Sequence, residues 1–134
     1  MADIHPARGL RERRPVVFTA HSRHTAFMMR HICLFVLRAG RVPLNPFMNF
    51  DYFLLDTVPR DDIRRANNTL VGLADELWTF GVIADGVLEE VRLARHLGKP
   101  VRHFALGTTL DSIREVPAGQ LEYEPGVGRV EVLD

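Results

Sequence analysis

Across residues 16–106 the chain alternates short apolar runs with amphipathic stretches, and this order limits the possible folds more than any other feature. Residues 16–20 (VVFTA) read as a buried strand. Residues 25–39 carry Met28, Ile32, Phe35, Val36 and Ala39 at helical spacing, with Gly40 as a stop. Residues 42–45 read as a second strand ended by Pro46. Pro59 with Asp61 and Asp62 opens a second helix, since proline suits the first turn and acidic groups favour the positive end of the helix dipole. Ile63, Ala66, Leu70 and Val71 then form its apolar stripe. A third strand is expected over residues 77–80, a third helix over 86–97 ended by Gly98 and Pro100, and a fourth strand over 101–106. Strands separated by helices predict an α/β fold: a flavodoxin- or Rossmann-like three-layer sandwich with a mainly parallel sheet of four to five strands and right-handed crossovers.

This organisation divides the chain into a mobile basic arm (1–14), the α/β domain (15–107) and a C-terminal extension (108–134) in which residues 120–123 and 129–133 are candidates for a hairpin or edge strands. Residues 47–55 (FMNFDYFLL) are too irregular to assign and read as a loop packed over something. For strand order 2-1-3-4 the ligand crevice lies where the winding reverses, at the carboxyl ends of strands one and three. Two loops are thereby nominated: Ala20, His21, Ser22, Arg23 and His24, and the stretch from Gly81 through Asp85 into the third helix. Neither carries a Gly-x-Gly-x-x-Gly fingerprint or a Gly-Lys-Ser/Thr phosphate loop, which disfavours a classical NAD or ATP enzyme.

Seventeen basic and seventeen acidic residues cancel, so no overall field gathers a nucleic acid polymer or an anionic membrane. Arginines crowd the start and acidic residues the end, a pattern that solvated tails explain equally well. No apolar run is long enough to span a membrane, and no signal-peptide segment precedes Pro15. The single cysteine, Cys33, forms no disulfide framework or zinc-ligand cluster, which favours a cytoplasmic location.

One carboxylate falls on the wrong face. At about 100° per residue the third helix puts Val87, Val91, Ala94 and Leu97 on one side and Glu89, Arg92 and His96 on the other. Glu90 lies between Leu97 and Ala94, on the apolar stripe. Removing a carboxylate from water costs several kcal/mol unless it is paired, so Glu90 either pairs with an arginine or faces a cleft.

Glu90 also sits in a longer pattern: Ala74-Asp75, then Asp85-Gly86, then Glu90, with Lys99-Pro100 nine residues on. This arrangement resembles the nucleoside 2-deoxyribosyltransferase superfamily, including its relatives that hydrolyse nucleoside 5′-monophosphates. The resemblance covers roughly residues 16–106 and implies cleavage of an N-glycosidic bond. Glu90 would attack the anomeric carbon through an oxocarbenium-like state and form a covalent glycosyl-enzyme, the logic of a retaining glycosidase. It would have to be ionised, which burial opposes and hydrogen-bond donors or a cation such as Arg23 favour. By the same match Asp75 would assist catalysis and Asp85 would bind a sugar hydroxyl. Asp85 before Gly86 serves equally as a turn or cap residue, and Asp75 before a strand equally satisfies loop amides. The phosphate-binding relatives carry a Ser-x-Arg element among glycines; this chain has Ser22-Arg23 without them, which leaves nucleoside and nucleotide both open. The resemblance further implies a homo-oligomer and no metal or organic cofactor.

Weaker candidates surround these. His21, His24 and His31 have a spacing that suggests metal, but no carboxylate or cysteine completes a set, and His21 fits a substrate contact better. Trp78 and Phe80 read as core, whereas Phe47, Phe50, Tyr52 and Phe53 are placed to cover a nucleobase or to form a subunit contact. The expected substrate-binding residues are therefore His21, Ser22, Arg23, Gly81, Asp85 and Gly86. The alternative to an enzyme is a non-catalytic nucleotide-binding or sensing module of the same fold.

Overall fold

A computed structural model describes residues 3–109 and 112–129. Five strands form one sheet in the order β2-β1-β3-β4-β5. They are β1 (Val16–His21), β2 (Val42–Leu44), β3 (Glu76–Phe80), β4 (Val101–Leu106) and β5 (Ile113–Val116). The first four pair in parallel, with β1 between β2 and β3: Val16 stands opposite Val42, and Phe18 opposite Leu77. The fifth runs antiparallel to β4. The helices are α1 (Met29–Arg38), α2 (Pro46–Asn49), α3 (Tyr52–Thr57), α4 (Arg60–Leu73) and α5 (Asp85–His96).

The alternation of side chains along each strand divides the core into two layers. Val17, Trp78, Phe80 and Phe104 pack against Met28, Ile32 and Val36 on the α1 face. Phe18, Ala20 and Leu77 pack against Val71 of α4 and Val87, Leu88, Val91 and Ala94 of α5 on the other. Phe35 closes the first layer with its ring edge-on to Trp78, Phe80 and Phe104, at 5.2 to 6.3 Å between centroids. Helices on both faces of a mostly parallel sheet make the expected three-layer sandwich. The observed order extends 2-1-3-4 by one strand at the β4 edge.

Several local expectations differ from the structure. The first helix is preceded by a 3-10 turn over Arg23–Met28, because Ser22 caps it tightly: its Oγ accepts the His24 N–H at 3.1 Å. The irregular aromatic segment contains α2 and α3. Each is specified by a cap rather than by periodicity, with Asn45 Oδ1 accepting the N–H groups of Phe47 and Met48 at 3.0 and 3.2 Å, and Asp51 Oδ1 accepting that of Leu54 at 3.3 Å. In the C-terminal extension Ala118–Gln120 form a 3-10 turn, and Tyr123 makes a single parallel bridge to Ile83. The candidate strand at 129–133 lies, beyond Arg129, outside the described residues.

Residues 3–14 are exposed and carry no helix or strand. Arg13 ties this arm down, its Nη2 donating to both carboxylate oxygens of Asp75 at 3.2 and 3.0 Å. No helix among the described residues is long and apolar enough to cross a membrane.

Candidate functional site

At the carboxyl ends of β1 and β3 the winding reverses, since α1 leaves for one face and α5 for the other. There a cavity of about 710 Å³ opens, within the range of small-molecule sites. Its walls are His21, Ser22, Arg23 and His24 after β1, residues 84–87 with Glu89 and Glu90 of α5, and Glu124 from the C-terminal segment. Pro46 and Phe47 of α2, Phe50 beyond it, Leu55 of α3 and Ile63, Arg64, Asn67 and Asn68 of α4 complete it.

Glu90 faces this cavity from the second turn of α5. Its Oε2 accepts a hydrogen bond from Asn67 Nδ2 at 2.7 Å across the α4–α5 contact, and no ion pair joins it among the described residues. The arginine partner considered from sequence is absent there; an amide holds the carboxylate instead. Burial raises its pKa to about 7, opposed by the Asn67 hydrogen bond, which favours the charged form. Near neutrality the group is therefore poised between acid and carboxylate, with Oε1 unengaged by any hydrogen bond among the described residues.

His21 closes the inner wall and its protonation state follows from its neighbours. Because Asn45 Oδ1 already accepts two backbone N–H groups, its Nδ2 must donate, and it does so to Thr19 Oγ1 at 2.9 Å and His21 Nε2 at 3.0 Å. An accepting Nε2 leaves the proton on Nδ1, which donates to Thr25 Oγ1 at 3.1 Å; Thr25 in turn donates to Ser22 O. Burial lowers the His21 pKa to about 4, against the raising effect of a backbone hydrogen bond at Ser22. The ring is thus a neutral wall element that packs against Phe47 at a tilt of 46°, 4.8 Å between centroids.

Of the residues nominated from sequence, the structure brings His21, Ser22, Arg23, Asp85, Gly86 and Glu90 to one cavity. Gly86 leaves open space where a Cβ would stand. Gly81 is not among the walls: it turns the chain out of β3 at φ +79°, with a Cβ position 3.0 Å from Leu106 Cδ1. Asp75 is likewise elsewhere. It lies at the amino end of β3, where its Oδ2 accepts the Val16 N–H at 2.7 Å in addition to the Arg13 contact. Those donors, led by the Val16 N–H, hold its pKa below the usual carboxylate range. Lys99 is turned the same way, its Nζ donating to Ala74 O.

Phe47 and Phe50 line the cavity; the side chains of Tyr52 and Phe53 lie outside the described part of the structure. Five polar wall residues escaped the sequence reading: Arg64, Asn67, Asn68, Glu124, and Glu89, which helical spacing places on the solvent side of its helix. Asn67 had a signal, since it sits four residues after Ile63 and four before Val71, on the same apolar stripe of α4. Among the described residues no group of three or more His, Cys, Asp or Glu is arranged to hold a metal ion.

Fold and cavity together define a three-layer α/β protein with a ligand-sized pocket at its topological switch point. The chain belongs to the family described as Domain of unknown function (DUF7768), whose model matches residues 17–104. In structure it is similar to a 2-desoxiribosyltransferase from Leishmania mexicana, with 16% identity, a TM-score of 0.54, and coverage of 82% of this chain and 83% of that one. At that identity the likeness speaks for the fold. No curated protein matches the chain.

Proposed function

We propose that this protein cleaves, or transfers across, the N-glycosidic bond of a nucleoside or nucleoside 5′-monophosphate, with Glu90 as the nucleophile. The observation that carries the reading is the Glu90 carboxylate: set in a cavity of nucleoside size, held at Oε2 by Asn67 and by no cation among the described residues. The shared fold with a desoxiribosyltransferase supports the same chemistry.

In this reading Glu90 Oε1 bonds to the anomeric carbon while the carbon–nitrogen bond breaks, its electron pair leaving with the base, which takes up a proton. Developing positive charge on the sugar ring is neutralised by the carboxylate, and one hard displacement becomes two easier ones. Water or a second base then attacks the anomeric carbon, releases the carboxylate and gives up a proton to solvent, which balances the proton the departing base took from it. Arg23, Asp85 and Ser22 would bind sugar or phosphate oxygens, and Phe47 and Phe50 would cover the base. No metal or organic cofactor enters this scheme. We further propose a cytoplasmic homo-oligomer; the exposed apolar side chains Phe27, Leu34, Leu37 and Met48 around α1 and α2 support a subunit contact.

The test is chromatographic detection of free base from a panel of ribo- and deoxyribonucleosides and their 5′-monophosphates, with a second base added to half the reactions. Base release or exchange that disappears in Glu90→Ala is the expected result. No turnover from the folded protein would overturn the reading and leave a ligand-binding module. Light scattering that returns a monomer would remove the subunit contact.

A further inference from the structure

The C-terminal segment enters the cavity by pairing alongside the loop that follows β3. Ile83 N donates to Glu122 O at 2.8 Å and Glu124 N donates to Ile83 O at 3.0 Å, which fixes Glu124 at the cavity wall opposite the start of the 3-10 turn. Its Oε1 accepts the Ser22 hydroxyl at 3.0 Å and lies 3.9 Å from His24 Nε2. Ser22 Oγ already accepts the His24 N–H. The two donors that would otherwise meet a ligand anion at this end of the site are thus engaged within the protein, and a carboxylate stands before them.

The other wall charges do not offset it. Arg64 is paired with Asp61 at 2.9 Å and Glu89 with Arg92 at 2.8 Å. This leaves exposed Arg23 as the remaining cation of a wall that also carries Asp85, Glu90 and Glu124, none of which has a cationic Lys or Arg partner among the described residues. A phosphate monoester brings roughly 1.5 to 2 further negative charges at neutral pH. In a partly enclosed site that repulsion is stronger than in open water.

From this arrangement we infer that Glu124 is a specificity residue that excludes anions: the cavity takes uncharged nucleosides and rejects their 5′-phosphorylated forms. The inference rests on the cavity being a nucleoside-type site, and it settles which of the two substrate classes left open above is bound.

Calorimetric titration of the full chain carrying Glu90→Gln, which keeps ligand intact whatever the chemistry, tests it with four 2′-deoxyribonucleosides and their 5′-monophosphates. At least one nucleoside is expected to bind about tenfold or more tightly than its own monophosphate. Adding Glu124→Gln, which keeps an acceptor for Ser22 but removes the charge, should bring that ratio down by about tenfold. As a measurement independent of the second variant's folding, raising sodium chloride from about 50 to about 500 mM should narrow the ratio in the parent protein, because screening weakens repulsion. A monophosphate that binds as well as its nucleoside, a ratio unmoved by Glu124→Gln or by salt, or no binding by any panel member overturns the inference. Base release decides the glycosidic reading separately: turnover with a flat ratio removes only the role of Glu124, and a preserved ratio without turnover removes only the chemistry.

Discussion

Asn67 Nδ2 donates to Glu90 Oε2 at 2.7 Å, so the one buried-stripe carboxylate of α5 is held by the one stripe amide of α4. Both residues break the apolar patterning of their helices, and they break it toward each other. An amide partner has a chemical consequence that an arginine would not have. It orients the carboxylate and favours its charged form without neutralising it, so the negative charge stays available to a developing cation.

In the proposed reaction Glu90 has to be ionised, so turnover should rise with pH through its pKa of about 7. Replacing Asn67 with alanine removes the hydrogen bond that favours the charged form and moves that limb upward. A charge-assisted hydrogen bond is worth about 1.5 to 3 kcal/mol, or about 1 to 2 pH units. The pH–rate profile of Asn67→Ala should therefore show about a tenfold or greater loss near pH 6 that shrinks at alkaline pH. A loss equal at all pH values would mean that Asn67 acts on something other than Glu90 ionisation.

Asp75 gives the opposite expectation. Its carboxylate clasps Arg13 and the Val16 N–H at the amino end of the sheet, away from the cavity. Asp75→Asn should lower the melting temperature and loosen the N-terminal arm to proteolysis, with kcat/KM unchanged at permissive temperature. A large loss of turnover in the folded variant would return Asp75 to the reaction.

How much of this was legible depended on whether the signal was local. Strands β1, β3 and β4 and the stripes of α4 and α5 were readable because apolar periodicity is written over a few consecutive residues. Glu90 was readable for the same reason, as a charge out of phase with its helix. The short helices α2 and α3 carry no periodicity and depend on the caps Asn45 and Asp51. The β5 sequence Ile-Arg-Glu-Val is half charged and gains its strand identity only from pairing with β4. Glu124 reaches the site through a backbone pairing with Ile83, 41 residues away in sequence, and no local pattern announces that. Asp75 has the motif position of a site residue, yet the docking of Arg13 decides its role.

Gly81 provides a purely structural check. Its φ of +79° is a left-handed conformation, and a Cβ would press on Leu106 Cδ1 at 3.0 Å. Gly81→Ala should cost about 1 to 2 kcal/mol of stability from the backbone alone, measured by urea denaturation. An unchanged midpoint would mean that the loop after β3 adopts another conformation in solution.

Asn45 joins two functions, capping α2 through Oδ1 and fixing the His21 tautomer through Nδ2. Asn45→Ala loses the cap and leaves His21 Nε2 without its donor, a combined cost of about 2 to 4 kcal/mol. Nitrogen-15 spectra of the imidazoles should place the His21 proton on Nδ1 in the parent protein. A proton on Nε2 would contradict the donor assignment that runs from Asn45 to Thr25.

The strongest quantitative test is the pH dependence of stability, because three groups with shifted pKa values pull it in opposite directions. His21 and His103 have folded pKa values lowered by burial to about 4 from 6.5. Between these values the unfolded chain binds their protons and the folded one does not, so stability is lost as pH falls from 6.5 toward 4. Glu90 is raised from 4.5 to about 7, so there the folded chain holds the extra proton and stability is lost as pH rises through that window. From about pH 4.5 to 6.5 the two histidines contribute two protons in one direction and Glu90 one in the other. The net of one proton makes the unfolding free energy rise with pH, by roughly 1 kcal/mol per pH unit. Glu90→Gln removes the opposing proton, so its slope should be about twice the parent's, and the variant should exceed the parent in stability above pH 7 while converging with it near pH 4.5. Equal slopes in urea denaturation at a series of pH values would show that Glu90 titrates alike in both states, and the poised carboxylate at the centre of the proposed chemistry would be lost with it.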